Sequence, residues 1–439
     1  MTPAPVGFAD DGPAGMAPGR TCRLLLVVTE SRQEAYLRRY AGALAAFQSA
    51  QIGVLRDCRG AGGAAECCQA ELPLCGPDSP GAKRVLPAGA PLGACIGAIA
   101  GRWPFDMLIA EWPQADEHVA LHARLVSELG VTAVLVRHSD GALRRVVVPA
   151  GGGAHALEGI RVADALARAW SLDRQVLRIV QPGSSFWLHR ADLKRQCRHI
   201  RDATRLYLDV ADVAMPVKVR LGEDVADEIL SRCASGDLIV IGGSGQWLME
   251  NSASVSIPSR VACGAPGPVM MVLTNRGQPA ALADVFWDRT IRVGLKAGGK
   301  LAAVETLVDA LIEGRQVPAA RRDEIIGAVM SREQAGTTYV GNQTAIPHAA
   351  LPGFRGLIGM LGVFAEGVPF GTTQDEKARF AFLLLTPKES YEVYLPILAR
   401  IARFMQEADN RRGMAEALNP AQVAELLSQA ERRWRAEGR

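Results

Sequence analysis

Short, uninterrupted apolar runs recur along the first 275 residues, each followed by a stretch of helical periodicity. Arg23–Val28 reads RLLLVV. A helix over about 31–49 and a strand at Ile52–Leu55 follow, then a short strand at Val85–Leu86, a helix, Asp106–Ala110 (DMLIA), another helix and Ala133–Val136. Apolar residues without alternation are what a strand buried on both faces requires, and such strands belong to parallel sheets. Right-handed crossovers then place helices over both faces. Between Cys58 and Ala82 the chain is rich in Gly, Ala, Pro and Cys and reads as a loop insertion.

The same order is then repeated. Arg145–Val148 (RVVV) corresponds to the opening strand, a helix at Ala154–Ala169 and a strand at Val176–Val180 follow, and Val217–Leu221 precedes a helix over Glu223–Ser235. Val225, Ile229, Leu230 and Cys233 line one face of that helix, and Gly236 stands where a C-terminal cap belongs. Asp237–Ile241 (DLIVI) and Val269–Leu273 close the unit. Gly89, a helix and Phe105-Asp106-Met107 in the first half match Gly222, a helix and Gly236-Asp237-Leu238 in the second, as an internal duplication would. Each copy has the size of a single domain.

The pattern changes after a polar stretch at Asn275–Ala283, which reads as linker. Leu301, Val304, Leu307, Val308, Leu311 and Ile312 make one face of a helix over Gly299–Glu313, and a second helix covers about 320–331. Strands are expected at Thr337–Val340, turned by Gly341-Asn342, and at Leu357–Phe364 and Arg379–Leu385. Tyr394–Met405 reads as a helix, and Asn419-Pro420 supplies the N-cap and first-turn proline of a last one.

Composition bounds the class. Lys and Arg total 49 against 46 Asp and Glu, so the net charge is +3, with 49% hydrophobic residues. A general nucleic-acid binder is more basic, and a membrane span needs a longer apolar run than any here. The first 20 residues, rich in Pro, Gly and Ala, read as a disordered tail and lack the basic start and apolar core of a signal peptide. Nine scattered cysteines form no C-x-x-C pair, which fits reduced thiols in the cytoplasm and no metal site.

The strongest chemical motif is Ser331–His348, SREQAGTTYVGNQTAIPH. Pro347 restricts the backbone before His348, which puts an imidazole by a short strand near a guanidinium and hydroxyls. A neutral imidazole is a good nucleophile and Arg offers planar donors to phosphate oxygens, so the set suits transient phosphoryl binding. An exposed loop histidine beside a salt-bridged arginine is the plainer reading of the residues alone. The segment resembles the enzyme IIA domain of the bacterial phosphoenolpyruvate-dependent phosphotransferase system, of the mannitol/fructose type that includes nitrogen-regulatory members. The family pattern R-E-x-x-G-[ST]-T-x-[IV]-G-x-x-x-A-[IL]-P-H is met by Arg332, Glu333, Gly336, Thr337, Thr338, Val340, Gly341, Ala345, Ile346, Pro347 and His348. The resemblance implies that His348 is the phosphoacceptor with Arg332 beside it, Thr338 in the same site, and a phosphocarrier protein as partner. Where the family often has a second histidine, this sequence has Tyr394, which donates one hydrogen bond but is no base near neutral pH.

After Asp237–Ile241 comes Gly242-Gly243-Ser244-Gly245, with Ser256 eleven residues further on before a helix. Glycines let backbone N–H groups approach a phosphate, and the carboxyl end of a parallel strand is where such sheets bind ligands. Backbone permissiveness alone also explains a Gly-rich turn. The segment resembles the universal stress protein signature G-x2-G-x9-G-[ST] at Gly242, Gly245 and Ser256, with Val255 replacing the third glycine. The family's first-strand acidic residue is missing; Val148-Pro149-Ala150-Gly151-Gly152-Gly153 stands there and is similar to stress-protein modules attached to membrane transporters and antiporters. The resemblance implies an adenine nucleotide (ATP, ADP or AMP) held by Gly151, Gly242, Gly245 and Ser256. The first copy has Ala110-Glu111-Trp112-Pro113 in place of the glycines and reads as a degenerate, structural partner.

Weaker features are better explained as surface. His118 and His122 have helical ligand spacing but no third ligand, and the Cys58, Cys67, Cys68, Cys75 cluster fits no zinc pattern. The expected chain is therefore α/β throughout: a tail (1–20), a degenerate stress-protein-like domain (21–140), a second with the nucleotide loop (141–275), a linker (276–289), and an enzyme IIA-like domain with a mixed sheet (290–435). The expected function is a cytosolic regulatory phosphohistidine protein with an adenine-nucleotide-sensing module. The alternative is a non-enzymatic, nucleotide-responsive module of a membrane transporter or cation antiporter. No nucleic acid or membrane insertion is expected. Pairing through a sheet edge would give either a homodimer or an intramolecular pair of the two copies.

Overall fold

The computed structural model describes residues 22–57, 68–73, 82–85, 91–112, 128–181, 213–243, 256–274, 281–354, 356–388 and 395–437, with scattered positions between them. The first unit runs β1 (Arg23–Val28), α1 (Glu34–Gln48), β2 (Gln51–Asp57), β3 (Cys68–Leu72), β4 (Ala82–Val85), α2 (Leu92–Arg102), β5 (Met107–Glu111) and β6 (Thr132–Arg137). The second runs β7 (Arg145–Pro149), α3 (Ala154–Ala169), β8 (Asp173–Val180), β9 (Val217–Leu221), α4 (Val225–Ser231), β10 (Asp237–Gly242), α5 (Ile257–Gly264) and β11 (Val269–Thr274). All eleven strands share one sheet, ordered β4-β3-β2-β1-β5-β6-β11-β10-β7-β8-β9.

The duplication is visible in that order, because β2-β1-β5-β6 and β8-β7-β10-β11 are the same sequence of parallel neighbours. The halves meet where β6 pairs antiparallel with β11, so the copies pair within one chain. Thr132 and Thr274 face each other across that seam, their hydroxyls 3.0 Å apart. The unalternating runs have their reason here: Leu25 and Val27 enter the core on one face, Leu24, Leu26 and Val28 the core on the other. The matched aspartates are one device used twice. Asp106 accepts from the Arg23 amide at 2.8 Å and Asp237 from the Arg145 guanidinium at 3.1 Å, each tying the start of a central strand to its neighbour.

The segment expected as a loop insertion departs from expectation. Cys68–Leu72 is a strand antiparallel to β2, and Ala82–Val85 pairs antiparallel with it. Gly and Pro in the flanks hid a short ladder whose pairing, not propensity, holds it. His118, His122, Cys58, Cys67, Cys75 and residues 1–20 lie outside the described residues.

The C-terminal unit contains β12 (Ile291–Leu295), α6 (Lys300–Glu313), α7 (Arg322–Gln334), β13 (Tyr339–Gly341), β14 (Thr344–Ala345), β15 (His348–Leu351), β16 (Ile358–Pro369), β17 (Lys377–Pro387), α8 (Leu395–Gln406), α9 (Ala408–Glu416) and α10 (Pro420–Glu437). Its sheet is mixed, ordered β12-β16-β17-β14-β13 with β15 also on β17. Apolar cores lie on both of its faces. Within the span expected as linker, residues 281–289 are instead packed: two short 3-10 turns bury Leu282, Val285 and Phe286 in this core, with Phe286 edge-on to Phe382 at 5.3 Å. Among the described residues, no helix is long and apolar enough to cross a membrane.

Candidate functional site

The end of α7, the β13–β14 hairpin and the start of β15 bring the Ser331–His348 motif together. Gly341, Asn342 and Gln343 turn the hairpin at φ +84, +49 and +56, a left-handed run for which Gly and Asn are suited. Pro347 then delivers His348 to the first position of β15, opposite Leu384 of β17.

Both imidazole nitrogens have partners. Arg332 Nε donates to His348 Nε2 at 3.0 Å, and His348 Nδ1 lies 2.8 Å from the Ile346 carbonyl. A carbonyl only accepts, so Nδ1 carries the proton and Nε2 presents its lone pair to the guanidinium. Burial holds the imidazole below its ordinary pKa; the Arg332 cation lowers it further, while the Ile346 carbonyl and Glu333 pull the other way. The ring is therefore neutral at pH 7, the state a nucleophilic histidine needs. Arg332 Nη1 is anchored on the Gly336 carbonyl at 2.9 Å, which fixes the guanidinium plane.

Glu333, the next residue, does what the motif alone did not reveal. Its side chain is 2% exposed and accepts from Lys300 Nζ at 2.8 Å and from the Thr338 amide at 3.0 Å, and the Thr338 hydroxyl donates to it as well. The Thr338 carbonyl in turn accepts from the Ile346 amide at 2.9 Å. The links Glu333–Thr338–Ile346–His348 thus set the imidazole's height and rotation. Thr338 acts in this chain, with its amide and hydroxyl committed to Glu333. Lys300 and Glu333 are 33 residues apart, so no local pattern joins them. Tyr394 lies outside the described residues.

The second candidate is the crevice at the carboxyl ends of β7 and β10. There β7 has its sequence successor β8 on one side and β10 on the other, the switch point where parallel sheets take ligands. Gly152 and Gly153 leave β7 at φ +107 and +86, and α3 begins at Ala154. Gly242 ends β10 so close to α3 that a Cβ on it would lie 2.6 Å from the Ala156 amide nitrogen. Gly151, by contrast, has open space around it. Ser256 is the N-cap of α5: its Oγ accepts from the Ser259 amide at 3.2 Å and pairs with the Ser259 hydroxyl at 2.8 Å. His155, which sequence reasoning did not single out, fastens α3 to β11. Its Nδ1 accepts from the Thr274 amide at 3.0 Å, and desolvation holds its pKa down to about 4. Gly245 lies outside the described residues. Among the described residues no group of His, Cys, Asp or Glu is arranged to hold a metal ion.

Residues 284–430 match the family model described as phosphoenolpyruvate-dependent sugar phosphotransferase system, EIIA 2. A fructose-specific EIIA component of the phosphotransferase system from Haloferax volcanii is 30% identical over 130 residues, which is 30% of this chain and 83% of that protein. A nitrogen regulatory protein from Bradyrhizobium diazoefficiens is 27% identical over 147 residues, 34% of this chain and 94% of the relative. A universal stress protein from Archaeoglobus fulgidus aligns in structure with 56% of this chain and 95% of its own, at 13% identity and a TM-score of 0.37.

Proposed function

Through residues 284–430 this chain belongs to the EIIA 2 family of the phosphoenolpyruvate-dependent sugar phosphotransferase system, and we propose that it is a regulatory phosphoryl acceptor that takes its phosphoryl group on His348 Nε2. The donor is an upstream phosphohistidine carrier. The Nε2 lone pair forms the new N–P bond as the donor's N–P bond breaks and its electron pair returns to the donor imidazole. The Nδ1 proton stays on the ring, held by the Ile346 carbonyl, so the imidazolium charge that develops is stabilised where it forms. Arg332, now beside Nε2, shifts its Nε–H to a phosphoryl oxygen; the guanidinium is the planar donor such an oxygen favours.

The observation that carries this reading is the Arg332–His348 contact at 3.0 Å together with a ring whose other nitrogen is already committed. Phosphorylation adds negative charge and acceptor oxygens at that surface and so alters which partners bind it. The cytoplasm is the compartment where the carrier would meet it. The test is incubation with a phosphoenolpyruvate-charged carrier chain, comparing wild type with His348→Ala. Acid-labile phosphate on wild type alone supports the reading; equal labelling of both removes it.

On this reading units 21–140 and 141–275 form the regulatory body ahead of the phosphoryl domain at 290–435. An adenine nucleotide is the ligand we assign to the crevice of the second copy, supported by the glycine turn at 151–153 and Gly242 at a sheet switch point. The alternative, a nucleotide-responsive module of a membrane transporter or antiporter with no phosphoryl chemistry, is supported by the same crevice. Isothermal titration with ATP, ADP and AMP separates them: no binding of any nucleotide with clean labelling of His348 removes the alternative. The β6–β11 pairing supplies within one chain the edge contact expected either between chains or between copies.

A further inference from the structure

One segment of the chain faces two units at once. Between residues 281 and 290 the backbone makes two 3-10 turns, and Phe286 is fully buried in the C-terminal core against Phe382. Its neighbour Trp287 turns the other way and lays its indole over the glycine turn that follows β7. A Cβ on Gly152 would lie 2.5 Å from Trp287 Cγ, and one on Gly153 3.1 Å from Cη2. Only a residue without a side chain lets the ring approach so closely, and both glycines already stand at positive φ.

The ring is held there. The Trp287 amide donates to Thr290 Oγ1 at 2.9 Å, which pre-forms the turn. Asp288 pairs with Arg178 of β8, and Arg178, 8% exposed, also donates to the Ala150 carbonyl at the end of β7. One guanidinium therefore clamps the crevice wall to the residue after the tryptophan. Beyond it, Ala421 of α10 packs with Val180 and Val219 on the β8–β9 edge.

A flat, aromatic ring of nearly purine size thus covers the glycine turn at the switch point of the second copy. We propose that Trp287 is an internal occupant of this crevice, so that nucleotide binding there and docking of the C-terminal unit through Trp287 exclude one another. The proposal rests on the nucleotide reading of the crevice. A ligand whose base takes the place of the indole must displace Trp287, and the ion pair of Asp288 with Arg178 opposes that displacement. The apparent affinity of the intact chain is then reduced by the fraction of time the crevice is open. Because Phe286 sits in the core cluster that also contains Ile346, the carbonyl partner of His348, the segment that leaves the crevice is continuous with the packing behind the phosphoryl site.

The experiment is isothermal titration of the full chain with AMP, ADP and ATP, using wild type, Trp287→Ala and Asp288→Asn. Asp288→Asn keeps the indole and removes the charge of the clamp, so it reports even if the larger deletion impairs folding. The expected result is a Kd about tenfold lower for Trp287→Ala than for wild type with at least one nucleotide, and a smaller decrease for Asp288→Asn. Equal Kd values in all three proteins overturn the exclusion while leaving the crevice a nucleotide site. Weaker binding by Trp287→Ala also overturns it, because the ring would then be part of the binding platform. Absence of binding in all three removes the nucleotide reading itself, and the exclusion with it.

Discussion

The His348 imidazole is fixed by a guanidinium, one main-chain carbonyl and a buried carboxylate behind them, whereas the crevice at the end of β7 is lined mainly by glycine main chain beneath the Trp287 ring. The imidazole is gripped at both nitrogens, and behind it a buried carboxylate gathers Lys300 and Thr338. The crevice offers glycine backbone and a carbonyl already taken by Arg178. The difference teaches where each site is vulnerable. A site made of polar side chains fails when one loses its partner, since a buried charge left alone costs more than its pair contributed. A site made of backbone fails when atoms are added to it, since a close-packed interior has no room to yield.

The largest stability effect is expected at Glu333. Glu333→Ala leaves the buried Thr338 amide and hydroxyl without their acceptor, while the partly exposed Lys300 can turn to water, and should lower stability by about 3 kcal/mol in urea unfolding, the scale for two buried donors left unsatisfied. A change under about 0.5 kcal/mol, the ordinary surface scale, would mean that this carboxylate is not a structural anchor. Arg332→Gln comes next and separates chemistry from folding. It should slow phosphoryl acceptance about a hundredfold, the scale for losing one aligned donor at developing charge. It also removes a cation that holds the His348 pKa down, so the pKa moves up. In the proposed transfer the neutral ring is the nucleophile, and its fraction falls as pH drops through the pKa. The acid limb of the rate profile should therefore lie below the ordinary histidine range in wild type and at higher pH in the variant. Imidazole NMR titration checks the sign directly, and a downward shift would contradict the assigned geometry.

The crevice gives the smaller effects and a matched control. Gly242→Ala places a methyl 2.6 Å from the Ala156 amide, so α3 must move, at a cost of about 2 kcal/mol. Gly151→Ala, at the end of the neighbouring strand in the same crevice with nothing within 4 Å, should change stability by less than about 0.5 kcal/mol. Equal effects of the two in thermal unfolding would show that the tight approach of α3 to β10 is not what the glycine serves.

Much of this was legible in the sequence for identifiable reasons. Runs such as RLLLVV and DLIVI sit between two cores, and burial on both faces leaves no alternation to confuse the reading. The paired Asp106 and Asp237 could be seen because each copy keeps the same residue at the same strand start. The motif from Arg332 to His348 is contiguous, so its members could be named before any geometry. What escaped was held by long-range contacts. The Lys300–Glu333 pair joins two helices, β3 exists because β2 offers it an edge, and β12 is a short strand with Gly294 at φ +70. Residues 281–289, within the span that reads as linker, give no helical or strand signal because their buried residues are spaced by turns, and no periodicity announces a 3-10 turn packed from two sides.

Whether His348 Nε2 receives a phosphoryl group is tested most directly by phosphorus NMR of the full chain after incubation with a phosphoenolpyruvate-charged carrier. One phosphoramidate resonance is expected, coupled to the His348 ring at Nε2, lost on acidification and absent from His348→Ala. A resonance assigned to Nδ1, or one that persists in His348→Ala, would contradict phosphoryl transfer to Nε2.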